Sequence, residues 1–298
     1  MLKKLADLKQ LYKSNGTIKR LVLCSAADEH SLSAVKLAVE NQIIHPILVG
    51  DEIKIKNIAN SIDFNTKNIE IVDLKEEHQI VEHSIKLIRD GKADILMKGK
   101  ITTAKLLKGV LNKEWGLKKN KILSHFALFE IPAYHKLLAL TDAAMNISPS
   151  LQDKIHIINN TVEFLRKLGV ETPKVAAVAA VEMVNEKMQA TLDAALLSIM
   201  CRRGQIEDCI IDGPLAFDNA ISPESKVHKG ILSEVAGDAD ILLAPEIESG
   251  NVLYKSFVFF ANALVASVIL GATVPIVLTS RSDSEATKLY SIILAASV

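Results

Sequence analysis

Strand-length apolar runs alternate with helical periods along almost the whole chain, and this alternation limits the fold more than any other feature. The runs lie at residues 20–24, 46–50, 69–73, 93–97, 136–141, 174–179, 208–211, 239–244 and 275–279. Helical periods fall between many of them, at 30–41, 77–89, 103–111, 153–168 and 191–203. Such an order predicts an α/β fold with mostly parallel sheets covered by helices on both faces. Residues 122–131 also read as extended and are stopped by Pro132. A hairpin with 136–141, and so some antiparallel pairing, is expected. The opening MLKKLADLKQLYK reads as an amphipathic helix with Leu2, Leu5, Leu8 and Leu11 on one face; it lacks the apolar stretch of a signal peptide.

A chain of 298 residues is long enough for two domains. An internal echo supports that division: Gly91-Lys92-Ala93-Asp94-Ile95-Leu96 is matched by Gly237-Asp238-Ala239-Asp240-Ile241-Leu242. In each place a helix ends at glycine, a strand follows, and a polar loop (98–103 or 246–251) opens another helix. Ligands of open α/β sheets collect at the carboxyl ends of strands, where such loops sit. Two similar halves would then each give one loop to a shared cleft. A chance repetition of a common strand pattern would look the same.

Charge and cysteine content exclude several functions. Thirty-five basic residues balance 35 acidic ones, so nothing electrostatic favours a nucleic acid or an anionic membrane. The basic run at 117–121 has no interleaved aromatics and reads as a solvated loop. Cys24, Cys201 and Cys209 are odd in number and share no CxxC spacing, which points to a reducing, cytoplasmic setting. Residues 256–280 carry no charged side chain, a length that raises a membrane span. Gly271, Pro275, Asn262 and the β-branched tail argue instead for a buried helix over about 252–270 and a buried strand at 275–279.

Chemical motifs are sparse. His78 and His83 are five residues apart, about 140° around a helix, and with no HExxH or Cys/His cluster a metal site is not expected. No GxGxxG follows a strand. MKGKITT is not a P-loop, since Asp94 stands where its first glycine belongs. What remains there is Lys98, Thr102 and Thr103 at a helix start: an anion site, or an ordinary threonine cap with solvent-facing lysines. At the last strand, Ser282 with Glu285 fits a capping box and predicts the helix start. Arg281 then stands at a strand-to-helix junction, suited to a phosphate or to pairing with Glu285. Asp212, after its strand, is a turn residue or a cleft carboxylate.

Four segments together carry a resemblance: Leu138-Ala-Leu-Thr-Asp-Ala-Ala-Met-Asn146, Asp212-Gly-Pro-Leu-Ala-Phe-Asp-Asn-Ala220, Pro245 through Lys255 with its Gly-Asn-x-x-Tyr-Lys pattern, and Thr279-Ser280-Arg281. In this combination the chain resembles the phosphate acetyl/butyryltransferase family, nearer to its butyryltransferases. The resemblance implies two α/β domains, 1–140 plus 273–298 and 141–272, of the isocitrate/isopropylmalate dehydrogenase kind, with an active-site cleft between them. It implies exchange of a short acyl group, butyryl in first place, between coenzyme A and inorganic phosphate by direct thiol attack on the acyl phosphate. Catalytic roles fall by the same resemblance to Ser280, Arg281 and Asp283, with Glu285 the other acid near enough to serve as thiol base. The acetyltransferases place an aspartate where this chain has Thr287, and a second arginine where it has Lys108. Substrate-binding residues carried over are Lys98, Thr102, Thr103, Asp142, Asn146, Asn251, Tyr254 and Lys255.

No metal or resident cofactor is expected, since coenzyme A is a substrate. The implied partners are acyl-CoA, phosphate and acyl phosphate, handled by a cytoplasmic homo-oligomer with no nucleic-acid or membrane partner. Three other readings compete: a phosphate acetyltransferase, a metal-dependent hydroxyacid dehydrogenase of the same fold, and a non-catalytic acyl-CoA-binding protein. Turnover without added metal, measured across acyl chain lengths, separates them.

Overall fold

The computed structural model describes residues 3–14, 18–278 and 283–298. After a short 3-10 turn at Leu5–Asp7 come α1 (Leu8–Ser14), β1 (Lys19–Cys24), α2 (Glu29–Glu40), β2 (Ile44–Gly50), α3 (Glu52–Ser61) and β3 (Glu70–Asp73). Next are α4 (Glu77–Arg89), β4 (Ile95–Lys98), α5 (Thr103–Val110), β5 (Ser124–Glu130), β6 (Leu138–Thr141) and α6 (Leu151–Lys167). Then follow β7 (Lys174–Val178), α7 (Gln189–Arg202), β8 (Ile210–Leu215), α8 (Phe217–Ile221), α9 (Pro223–His228) and β9 (Ile241–Leu243). The chain closes with α10 (Ile247–Phe259), β10 (Leu264–Leu270), β11 (Ile276–Val277) and α11 (Glu285–Ala296). Asp28, Asp51, Ser150 and Ser284 cap their helices by accepting a backbone N–H three residues on, and Ser150 with Asp153 forms a full capping box.

Two compact units form. One comprises Leu8–Lys121 with Ala266–Val298, and the other Ile122–Val265 with the N-terminal residues as far as Asp7. In the first, strands run in the order β3-β2-β1-β4-β11-β10, parallel except where β10 pairs antiparallel with β11. In the second the order is β5-β6-β9-β7-β8, parallel except for the expected β5–β6 hairpin. The mostly parallel α/β fold is thus present in each unit. These units differ from the sequence expectation in their boundaries, which were placed at 140/141 and 272/273. The hairpin explains the first difference: β5 pairs with β6 and β6 with β9, so the whole of 122–141 belongs with the later strands.

The internal echo has a physical content. Asp94 Oδ2 accepts the Arg20 N–H at 2.8 Å, and Asp240 Oδ2 accepts the Lys174 N–H at the same distance. In each case the aspartate's own N–H goes to the carbonyl of that partner residue. Each carboxylate therefore pins the first residues of a neighbouring strand and fixes its register. The repeated Ala-Asp is a structural device at the strand start, one strand length away from the loops that follow.

Two expectations are corrected. The apolar stretch is not one helix over 252–270: α10 stops at Phe259, and Leu264–Leu270 is a strand. The chain reverses at Asn262, held at φ +51, and the β-branched Val265, Val268 and Ile269 then favour extended backbone. A strand buried on both faces and a buried helix are both simply apolar, so periodicity alone does not separate them. The last helix is capped by Ser284, whose hydroxyl accepts the Thr287 N–H at 3.1 Å, while Ser282, the cap expected from sequence, lies outside the described residues. No helix among the described residues is long and apolar enough to cross a membrane.

Val268 is 1% exposed. Val268→Asp places an unpaired carboxylate among apolar strands and is expected to cost more than about 4 kcal/mol in urea unfolding. An unchanged unfolding midpoint would put β10 on the surface.

Candidate active site

In the unit built around β5–β9, the polar break after β6 is organised by one buried carboxylate. Asp142 is 3% exposed. Its Oδ1 accepts the Ala144 and Met145 N–H groups, both at 2.8 Å. Its Oδ2 accepts the His125 N–H at 3.0 Å and the Asn146 amide at 2.6 Å. Four donors fill the acceptor sites of the group. The Asn146 amide also donates to the Leu123 carbonyl at 2.9 Å, and the Thr141 hydroxyl to the His125 carbonyl at 2.8 Å. Loop 141–146 is thereby tied to the start of β5 at three points.

The helix α10 is brought onto this loop by Gly250 and Asn251. A Cβ at residue 250 would lie 2.5 Å from the Asp142 carbonyl oxygen and 3.1 Å from the Ala143 Cα, so only glycine allows the approach. One residue on, the Asn251 amide donates to the Ala143 carbonyl at 3.2 Å. Tyr254 lies on the same helix with its ring edge-on to His125 (5.9 Å) and Phe129 (5.3 Å). Thus Asp142, Asn146, Asn251 and Tyr254 converge, and Lys255 follows them as an exposed cation. His125 was missed by the sequence reading. It arrives from another strand, 17 residues before Asp142, and carries no local signature.

Glu246 starts α10 by accepting the Ser249 and Glu248 N–H groups at 2.9 and 2.8 Å. Burial works to raise its carboxyl, but the hydrogen bonds from Glu248 and Ser249 prevail and hold it down at about 2, against an ordinary 4.5. The opening polar residues of this segment therefore have distinct tasks: Glu246 caps, Gly250 permits contact, and Asn251 fastens.

In the unit of Leu8–Lys121, Lys98 and the loop after β4 face the end of β1. The Gly99 and Lys100 N–H groups donate to the Cys24 and Ser25 carbonyls, both at 2.8 Å, and a Cβ at 99 would come within 2.2 Å of the Ser25 carbonyl oxygen. The Lys98 ammonium donates to the carbonyls of Gly99 (3.3 Å) and Ile101 (3.4 Å) in its own loop. Thr102 is the cap of α5, accepting the Lys105 N–H at 3.4 Å, and Thr103 is the first helical residue; both are exposed. Lys108 lies further along α5 and lines a pocket of about 410 Å³ with His78, Lys105 and Trp115.

Ser280, Arg281 and Ser282 lie outside the described residues. Asp283 is half-buried just ahead of the α11 cap, and its backbone carbonyl accepts the Lys288 ammonium at 2.6 Å. Lys288 is 3% exposed, a buried cation that helical periodicity did not single out. Glu285 is exposed on the first turn of the helix. Among the described residues no group of three or more His, Cys, Asp or Glu is placed to hold a metal ion.

The family model for phosphate acetyl/butaryl transferase matches residues 5–86 and 80–296. The chain belongs to this family. It is 47% identical to a phosphate butyryltransferase of Clostridium beijerinckii over 280 residues, covering 94% of this chain and 93% of that one. It is 44% identical to a phosphate acetyltransferase of Thermotoga maritima, covering 95% and 96%. Among solved structures, a branched-chain phosphotransacylase from Enterococcus faecalis matches with TM-score 0.83 and 35% identity over 94% of this chain and 98% of that one. A 4-hydroxythreonine-4-phosphate dehydrogenase from Burkholderia phymatum matches with TM-score 0.56 at 14% identity, covering 95% and 98%. That likeness concerns the fold alone and agrees with the dehydrogenase-like architecture expected from the sequence.

The Glu246 cap gives a pH signature. A carboxyl held below its ordinary value contributes stability that is complete above about 4.5 and lost as pH falls through about 2. Glu246→Ala is therefore expected to lower stability by about 1 kcal/mol at pH 6. Chemical unfolding should show the gap between the two proteins closing as pH falls toward 2. A gap that stays constant over this range would mean the ionised carboxylate does not cap α10.

Proposed function

We propose that this protein exchanges a short acyl group, preferentially butyryl, between coenzyme A and inorganic phosphate. The observation that carries this reading is the match at 47% identity to a phosphate butyryltransferase over nearly the full length of both chains. In the acyl-phosphate direction the thiol of coenzyme A gives up its proton to a base and the sulfur attacks the acyl carbonyl. A tetrahedral oxyanion forms, the carbon–oxygen bond to phosphorus breaks, and phosphate departs with the electron pair. A free thiol ionises near 8.5, so a base or a cationic neighbour is needed around neutrality. The departing phosphate needs positive charge and hydrogen bonds.

Ser280 and Arg281 take the oxyanion and phosphate roles in this proposal, and Asp283 that of thiol base. The position of Asp283 beside the helix cap, with its carbonyl held by the buried Lys288, supports a fixed placement of Asp283 itself. Lys98, Thr102 and Thr103 contribute charge and hydroxyls at the start of α5. Asn251, Tyr254 and Lys255 act from α10, while Asp142 and Asn146 act by holding the loop to which α10 is fastened. Coenzyme A supplies the nucleophile, so no protein thiol and no resident cofactor enters the scheme. The same reading has the enzyme working in the cytoplasm as a homo-oligomer; the exposed Phe259 and Phe260 on and after α10 offer apolar surface for association.

A phosphate acetyltransferase is the second reading, favoured by the 44% identity to the Thermotoga maritima protein. Thioester formation from acyl phosphates and coenzyme A, followed by absorbance without added metal, tests both. The proposal expects higher kcat/KM for butyryl or branched short acyl groups than for acetyl. Equal or better acetyl transfer would replace it by the second reading, and no turnover with any acyl phosphate would refute both.

The assignment of Arg281 has its own test. Arg281→Ala should lower kcat on the order of 100- to 1,000-fold with an unchanged thermal melt. Arg281→Lys should recover only part, since a point charge does not reproduce two parallel hydrogen bonds. Near-wild-type kcat/KM in Arg281→Ala would remove this residue from the active site.

A further inference from the structure

Two of the three cysteines, neither needed for acyl transfer, are built into one place. Cys201 lies in the last turn of α7, and Cys209 stands immediately ahead of β8. The chain returns between them through two left-handed residues, Gly204 at φ +70 and Asp208 at φ +64. Backbone hydrogen bonds from Gly204 to Cys201 (3.0 Å) and from Gln205 to Met200 (2.9 Å) hold this return. The Cys201 thiol consequently donates to the Cys209 carbonyl at 3.3 Å, which brings the two cysteines side by side.

Access distinguishes this pair from the third cysteine. Cys201 and Cys209 are both half-buried and line a pocket of about 650 Å³, together with Arg202, Asp212, Lys226 and Glu234. Cys24 is fully buried, and burial pushes its thiol up to about 12.

We propose that Cys201 and Cys209 form a thiol–disulfide exchange site whose substrate is a small-molecule disulfide. The Cys201 thiol loses its proton and its sulfur attacks one sulfur of the disulfide, releasing the first small thiolate and leaving a mixed disulfide on Cys201. The Cys209 sulfur then attacks the Cys201 sulfur, the second small thiolate leaves, and a Cys201–Cys209 bond closes. The two protons released by the protein go to the two thiolates. The small disulfide is reduced to two thiols and the protein pair is oxidised by two electrons.

The arrangement also orders the steps. Burial, and then the facing Cys201 sulfur, push the Cys209 thiol up to about 12, so Cys209 stays protonated while Cys201 reacts. Once Cys201 is in a mixed disulfide its charge is gone. That relieves part of the hindrance at the stage where Cys209 has to ionise.

The sequence makes the outcome easy to read, because Arg202 and Arg203 lie between the two cysteines and trypsin separates them. The full chain is incubated near neutral pH with oxidised glutathione, quenched by acid, digested and mapped by mass spectrometry. The Cys201 and Cys209 peptides should be joined and should separate again with dithiothreitol. Thiol titration of the unfolded protein should show the loss of two of its three thiols, and the loss should persist in Cys24→Ser. Cys209→Ser should instead keep a glutathione adduct on Cys201. Peptides that are never joined, whether unmodified or carrying separate adducts, would overturn the proposal.

Discussion

The carboxylate of Asp142 holds together the candidate site residues of the unit built around β5–β9. A buried charge is costly unless its lone pairs are filled, and here three backbone N–H groups and one side-chain amide fill them. The result is a loop whose shape does not depend on a ligand. Residues that depend on that loop inherit its position: Asn146 through its amide, Asn251 through the Ala143 carbonyl, and Tyr254 through packing on His125. Preorganised groups of this kind cost little reorganisation at the moment of reaction.

The loop after β4 follows the same logic with different parts. There a glycine, Gly99, allows close approach of backbone to backbone, as Gly250 does at Asp142. The Lys98 ammonium turns back on its own loop carbonyls, and the Thr102 hydroxyl is taken up as a helix cap. Lys98 and Thr102, which the sequence leaves as an anion site or an ordinary cap, are thus seen holding up their loop. The two uses are compatible, because a lysine carries three donors and a hydroxyl can donate while it accepts.

What the sequence disclosed follows from how local each signal is. The parallel strands were legible because burial on both faces makes them continuous apolar runs between polar loops, and the β5–β6 hairpin because Pro132 marks its turn. The strand Leu264–Leu270 was hidden, since an apolar run beside a real helix extends that helix on paper. Ser284 has no Glu or Gln three residues on to mark a capping box, so only the fold discloses it as a cap. The Asp-Ala-Ala-Met-Asn segment was recognisable as a family feature, yet the bonding of Asp142 was not, because the His125 partner is non-local. Lys288 was passed over for a similar reason: its sequence position resembles that of any surface lysine, and its burial comes from packing.

The claim that Asp142 acts as a scaffold is tested most directly by the unfolding free energy of Asp142→Asn. Asparagine keeps the shape but has one acceptor oxygen in place of two, so donors near its amide nitrogen lose their partner. The account predicts a loss of roughly 2–4 kcal/mol in urea unfolding, accompanied by weaker thioester formation. Full stability with only activity lost would contradict it and would make the carboxylate a substrate ligand.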